Sequence, residues 1–304
     1  MTIPSYSPEA FAARVSMSRR IRLFLVVEGI ETDSWFYDEV CRQSRLLKPG
    51  QHEIFPVRLV TRGLKCTGGK KRVVELFEYM ERQGIIGNGK PPARSALMLC
   101  VDADHDRIAG GIRRAKNLTY TKLPDVEAHV FDDFDIEGFI RRAYSTTAIE
   151  ARVVVASLHE WREQIARTWR PWFEICLAAH YCGIRRPSLG TPPRLLPDGK
   201  VDEATTRGVR DAIIEKVGIV QYEEAARKAN GRIGQFYSRR QEVALLKGKW
   251  LSAQLLSAAN EEADRLGLSK LGNKEALFEA VKGSAQFSRR TTRYYLDRFE
   301  TLIE

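Results

Sequence analysis

Apolar positions in the first half of the chain fall into two kinds of block. Some are continuous: Ile21 to Val27 reads Ile-Arg-Leu-Phe-Leu-Val-Val, and Ala96 to Val101 reads Ala-Leu-Met-Leu-Cys-Val. Unbroken runs of this length are what strands covered on both faces require. Other blocks repeat at helical spacing. Trp35, Phe36 and Val40 do so between Ser34 and Arg42, and Val73, Val74, Leu76, Phe77 and Met80 do so after the basic turn Thr67-Gly-Gly-Lys70-Lys71. Pro8 to Met17 predicts a short helix, with Ser7 as N-cap and Pro8 at the first helical position. Phe55 to Val60 and Ala128 to Phe131 read as the second and fourth strands, and Gly84 to Pro92 as a loop. Strands alternating with helices predict an α/β fold built on a parallel sheet.

The pattern changes near Ile136, and the rest of the chain reads as helical. Val153 to Cys182 is a long apolar and aromatic stretch interrupted at Pro171, and Ile184 to Lys200 is a Pro- and Arg-rich loop. Helical spacing resumes at Ala204–Val217, Tyr222–Ala229, Gln241–Leu266, Lys274–Val281 and Arg290–Ile303. The expected organisation is an α/β domain over 1–145 and a mainly helical domain over 146–304, the latter serving nucleic-acid binding, dimerisation or both.

The two continuous runs share a feature. The first ends on Glu28-Gly29 and the second on Asp102-Ala-Asp104-His-Asp106. In open α/β sheets, ligands bind outside the carboxyl ends of the strands, so Glu28, Asp102 and Asp104 are expected on one rim. If the chain stays extended past Val101, Asp102 and Asp104 point to the same face. Like charges so placed repel unless a cation lies between them. Oxygen-only ligands suit Mg²⁺ or Mn²⁺, and two such ions clamp the attacking and leaving oxygens of a phosphodiester. Asp106, and Glu137 with Asp135, are candidates for further ligands. The alternatives are ordinary ones: Glu28 as a first-turn carboxylate stabilised by the helix dipole, Asp102 and Asp104 as a solvated turn, and Glu137 as helix N-terminal charge.

Charge adds to this picture. The formal net charge is +10 and the pI about 9.4, which favours a polyanionic partner. A basic chain with a local acidic cluster is what a nuclease needs. Lys70 and Lys71 open a helix after two glycines, where backbone N–H groups can hold phosphate; the Walker A spacing is absent, so no ATP hydrolysis is expected of this chain. Arg185-Arg186, Arg239-Arg240, Lys247-Gly248-Lys249 and Arg289-Arg290-Thr-Thr-Arg293 are interleaved with Tyr237, Trp250, Tyr294 and Tyr295. Cations beside aromatics suit unpaired RNA, although each cluster taken singly also reads as solvated helix surface over buried rings. Five cysteines without a Cys-x-x-Cys argue against disulfides and, with His180 between Cys176 and Cys182, match no standard zinc spacing. No apolar run is long enough to span a membrane and the N-terminus lacks a signal-peptide pattern, so a cytoplasmic location is expected.

A strand ending in Glu-Gly, a following helix, and a later strand ending in Asp-x-Asp resemble the signature of the toprim fold of topoisomerases, bacterial primases and the overcoming-lysogenisation-defect nucleases. By that resemblance Glu28 acts as general acid or base, Asp102 and Asp104 bind Mg²⁺, and Asp106 extends the pattern. Val27-Glu28-Gly29-Ile-Glu31-Thr-Asp33-Ser-Trp-Phe36-Tyr37 and Phe131-Asp-Asp-Phe-Asp135-Ile136-Glu137 resemble segments of the stand-alone toprim nucleases of phage defence, and the Gly68-Gly69-Lys70 turn has a counterpart there. Lys247-Gly248-Lys249-Trp250 resembles a late Gly-Lys motif of these families. The group most resembled is the toprim effectors of PARIS-type anti-phage systems. This implies a toxin-like effector held by an ATPase partner and cleaving tRNA on release, and a homodimer is compatible with the many apolar positions of the helical half. Either Glu31 or Asp33 fills the role of the second acidic residue. The rival from another class is a non-catalytic toprim-like regulator that binds nucleic acid or an ATPase partner; a primase- or topoisomerase-like strand transferase is a further enzymatic alternative.

Overall fold

The structure, a computed structural model, describes residues 5–60, 64–66, 69–86, 95–184 and 201–304. Thr67, Gly68, Arg185, Arg186 and most of the expected loops at Gly84–Pro92 and Ile184–Lys200 lie outside the described residues. The contacts group the chain into two units that are discontinuous in sequence: Met1–Ala103 with Ile112–Val126 and Phe287–Glu304, and Asp104–Gly111 with Glu127–Gln286.

The first unit is α/β. Strands β1 (Leu23–Val27), β2 (His52–Pro56), β3 (Ala96–Val101) and β4 (Leu118–Tyr120) form an all-parallel sheet in the order β2-β1-β3-β4. β1 registers Leu23 against His52 on one side and Ala96 on the other. The continuous apolar runs have a simple cause, because alternate residues face opposite layers. Phe24, Val26, Leu97, Leu99 and Val101 pack with α1 (Pro8–Met17) and α3 (Gly69–Arg82). Leu23, Leu25, Val27, Met98 and Cys100 pack with α2 (Thr32–Arg42) and the C-terminal helix Arg289–Ile303. That last helix runs against the strand direction: Tyr294 donates to the Tyr120 carbonyl at the end of β4, and Arg22, just before β1, donates to the Ile303 carbonyl.

α1 begins and ends as the sequence predicts, and Ser7 accepts the Ala10 N–H. Two strand expectations are corrected. Ala128–Phe131 is not a strand but part of helix Val126–Asp132; Ala128, His129, Val130 and Phe131 are all buried, and a short apolar run carries no period that distinguishes helix from strand. The fourth strand is instead the three residues Leu118–Tyr120. β2 lies at His52–Pro56 rather than Phe55–Val60, and the chain then turns through a 3₁₀ segment at Val57–Leu59. Pro56 has no N–H to continue a ladder, which an edge strand tolerates at its end.

The second unit is helical. In chain order it holds α4 (Asp104–Ala109), α5 (Val126–Asp132, of which Val126 belongs to the first unit), α6 (Ile136–Ala143), α7 (Ala148–Ser157), α8 (Trp161–Thr168), α9 (Arg170–Tyr181), α10 (Glu203–Val217), α11 (Ile219–Ser238), α12 (Gly248–Arg265) and α13 (Lys274–Lys282); the C-terminal helix of the first unit is α14. The expected helical stretch from Val153 to Cys182 is three helices. Pro171 sits in the first turn of α9, where its missing N–H costs nothing. The core of this unit includes Trp250 stacked on Phe173 at 6.0 Å and edge-on to Trp169 at 5.8 Å.

Candidate functional site

The order β2-β1-β3-β4 places a topological switch between β1 and β3. From β1 the chain goes through α2 on one face to β2, then returns through α3 on the opposite face to β3. β1 connects onward to β2 on one side and β3 to β4 on the other, and connections that leave two neighbouring strands in opposite directions open a crevice at their carboxyl ends. Glu28 follows β1 and Asp102 follows β3, so both stand at this crevice.

They are in direct contact: the Asp102 backbone N–H donates to Glu28 Oε1 at 2.8 Å. The other Glu28 oxygen faces the start of α3, where a Cβ on Gly69 would lie 3.7 Å from Oε2. Gly69 has a φ of +60°, a conformation that glycine adopts without strain. Lys70 reaches over the same rim, its Nζ 3.3 Å from the Ala103 carbonyl and 5.5 Å from the centre of the Tyr120 ring. Lys71 is exposed on α3.

Asp33 is the acidic residue turned toward this site. It is buried, and its Oδ2 accepts the Gly29 N–H at 2.7 Å. Glu31 is exposed at the head of α2 and makes no capping hydrogen bond. Gly29 is explained by space rather than by backbone conformation: a Cβ there would meet the Asp33 carboxylate at 3.3 Å. Below lie Tyr37, Cys100 and Tyr295, all buried. Burial holds the Tyr37 phenol well above its ordinary range, and Cys100, Tyr295, Asp33 and Asp102 add to the shift. The same cause raises the Cys100 thiol and the Tyr295 phenol. The acidic rim therefore rests on neutral groups.

Two residues after Asp102, the chain does not continue extended. Asp104 has a φ of +44° and opens α4, so the expected common face of Asp102 and Asp104 on a straight strand is replaced by a turn. Asp104 Oδ1 is 2.7 Å from Lys247 Nζ. Asp106 lies on α4 with Oδ1 3.9 Å from His180 Nε2, and the His105 and His180 rings are 6.5 Å apart. Arg232 donates to the Ile108 carbonyl of α4. Lys247, expected to bind nucleic acid, is thus an ion-pair partner of a candidate metal ligand.

Gly248 explains the motif around it. A Cβ at this position would overlap the backbone of Glu127 and Ala128, so α12 can start against α5 only with glycine here. Lys249 is exposed in the first turn of α12, and Arg239 and Arg240 are exposed at the end of α11. Of the four aromatic residues between the basic clusters, two are closed off as stacking platforms, and Tyr237 and Tyr294 are half-buried. Trp250 and Tyr295 are core, and the Tyr237 hydroxyl donates to the Ala166 carbonyl.

Glu137 is in the first turn of α6, 3.5 Å from Arg152 in an exposed pair, while Asp135 caps that helix by accepting the Gly138 N–H. Asp132 pairs with Arg162 at 2.9 Å. Sequence reasoning missed Thr121, which is fully buried just after β4 and accepts the Ala103 N–H at 2.8 Å, tying down the link between Asp102 and Asp104. A three-residue strand preceding it gave no signal.

Among the described residues, no three His, Cys, Asp or Glu side chains are gathered as a metal cluster. In kind, the donors on the β1–β3 rim fit a hard cation: they are carboxylate oxygens, and Mg²⁺ commonly takes only one or two of these, with water and phosphate completing its shell. No helix among the described residues is long and apolar enough to cross a membrane. No protein-family model matches the chain, and no curated protein matches it.

Proposed function

We propose that this chain is a toprim-type, metal-dependent endonuclease that cleaves phosphodiester bonds of nucleic acid. The observation that carries the reading is the Glu28–Asp102 contact at the crevice between β1 and β3. Glu28 Oε2 and the Asp102 carboxylate are the groups that would hold Mg²⁺ or Mn²⁺. The ion, when bound, supplies charge stabilisation for a phosphoryl oxygen and a more acidic water. Glu28 orients or deprotonates the nucleophile. Lys70, on the same rim, would supply a cation for a phosphate. The resemblance, not the geometry, supports tRNA as substrate, an anti-phage role, an ATPase partner, a homodimer and a cytoplasmic setting.

The non-catalytic regulator is the second reading, and a specific observation favours it. Lys247 already neutralises Asp104, and a lysine in place of a metal ion is one way such a site is kept silent.

The test is cleavage of labelled tRNA and of plasmid DNA with Mg²⁺ or Mn²⁺, comparing wild type with Glu28→Ala. Cleavage by the wild type that is lost in the variant supports the nuclease. Binding without cleavage by either protein, also in the presence of its ATPase partner, favours the regulator.

A further inference from the structure

The helical unit contains a cleft of about 1180 Å³ bounded by the end of α8 and by α9, α10 and α11. None of its lining residues belongs to the acidic rim. α10 and α11 form a hairpin joined through Gly218, whose φ is +83°, and both pack on α9. Three arginines line the cleft: Arg207 and Arg210 from α10 and Arg227 from α11. All three are exposed. Arg207 and Arg227 form no ion pair with any described carboxylate, and Arg210 has only an exposed contact with its neighbour Asp211 at 3.4 Å.

Three glutamates share the cleft, and one of them is paired. Glu174 is held by Arg170 at 3.0 Å, and Glu203 is the first residue of α10, where the helix dipole favours a negative charge. Glu203 and Glu223 are the acids that oppose the three arginines. Like-charged groups concentrated on a concave surface focus a field that draws in counter-ions. Guanidinium groups match phosphate oxygens in a two-pronged geometry.

We propose that this cleft is a groove for single-stranded nucleic acid, in which Arg207, Arg210 and Arg227 hold successive phosphates. Arg207 and Arg210 are three residues apart and so share one face of α10, and Arg227 faces them from α11, which gives the strand a cation on each wall. Asn230 on α11 supplies an amide for a base or sugar. Tyr222, also lining the cleft, has its phenol pushed up by burial and stays a neutral hydroxyl. Grooves for single strands set cations beside groups that meet bases, and this cleft sets Tyr222 and Asn230 beside its three arginines. The inference rests on the proposed function only for its premise that the protein handles nucleic acid.

The test is fluorescence anisotropy with a labelled single strand of about 12 nucleotides, within the span such grooves cover, and with its duplex. EDTA is present so that cleavage plays no part. The proteins are the full-length wild type, the double variant Arg207→Gln/Arg227→Gln and the charge-keeping Arg207→Lys/Arg227→Lys. The expected result is single-strand affinity at least about tenfold weaker in the Gln variant, with a salt slope shallower by about 1.4 for two lost phosphate contacts. The Lys variant should keep most of that slope. Wild-type affinity in the Gln variant, equal preference for duplex, or no binding by the wild type would each overturn the groove. A cleavage assay with Glu28→Ala is read separately. Cleavage without any effect of the arginines leaves the nuclease standing and removes the groove. Arginine-dependent binding without cleavage does the reverse.

Discussion

Lys247 Nζ lies 2.7 Å from Asp104 Oδ1, with the lysine side chain 17% and the aspartate 38% exposed. The pair joins the start of α4 to the residue that caps α12, at an aspartate held in the left-handed backbone region. Asp104 is thereby fixed by two constraints, one electrostatic and one conformational. Removing the lysine takes this cation away from a half-buried carboxylate. Lys247→Met is expected to lower stability by about 1–2 kcal/mol, between the values for exposed and buried pairs, measured by urea unfolding. Asp104→Gly, which relieves the positive φ while losing the same ion pair, should cost less than Lys247→Met.

Gly248→Ala should be far more damaging than its size implies. The added methyl meets backbone atoms of Glu127 and Ala128, which have no rotamer to change. A loss of about 2–4 kcal/mol is expected, at the upper end of overpacking costs. Lys249→Ala, one residue on and exposed, should change stability by less than about 0.5 kcal/mol. Equal effects in the two variants would refute the packing account.

At the Glu28 turn, Asp33→Ala removes the acceptor of the Gly29 N–H and should cost about 1–2 kcal/mol. Glu31→Ala, exposed and making no cap, should be nearly neutral. If cleavage is established, Asp33→Ala should also reduce it, because the turn that presents Glu28 is loosened, while Glu31→Ala should not.

The cysteines give a prediction independent of function. Cys41, Cys100 and Cys176 are buried, while Cys66 and Cys182 are partly exposed. Burial pushes the Cys176 thiol up to about 12 and raises Cys41 and Cys100 as well. Ellman's reagent should therefore modify two thiols in the native protein and the remaining three only on unfolding. The sign of the pH effect follows. A thiol or phenol whose folded pKa is raised stays protonated in the native state while the unfolded chain ionises. Its contribution to stability is complete below the unfolded pKa and declines above it. With Tyr37 and Tyr295 raised for the same reason, resistance to urea should fall from about pH 9 upward. A flat profile between pH 8 and 11 would contradict this.

Trp250→Ala should unfold the helical unit more readily, by about 3–5 kcal/mol, because the buried ring stacks on Phe173 and meets Trp169 edge-on. Had the ring been a platform for bases, the same change would weaken nucleic-acid binding and leave stability alone.

The strands most legible in the sequence were those buried on both faces. β1 and β3 stand out because each contributes to two cores, and so does the placement of Glu28 and Asp102 at their ends. β4 was not legible: three residues carry no period, and its role is set by pairing with β3. Ala128–Phe131 read as a strand because four buried residues in a row satisfy either geometry. The aromatic residues among basic clusters misled for a related reason, since spacing alone does not say which side of a helix is turned inward.

Residue order alone was enough to read the α/β beginning, the helical remainder, the two carboxylates at the β1 and β3 ends and the basic balance of the chain. These depend on local periodicity and on the chemistry of single residues, which need no knowledge of distant neighbours. It took the folded chain to reveal that α14 completes the first unit, that Asp33 rather than Glu31 folds onto the Glu28 turn, that Lys247 pairs with Asp104 across 143 residues, and that arginines from α10 and α11 line one cleft. Each is a contact between segments far apart in sequence or a choice of side-chain direction at a turn, and both are set by how the chain closes on itself.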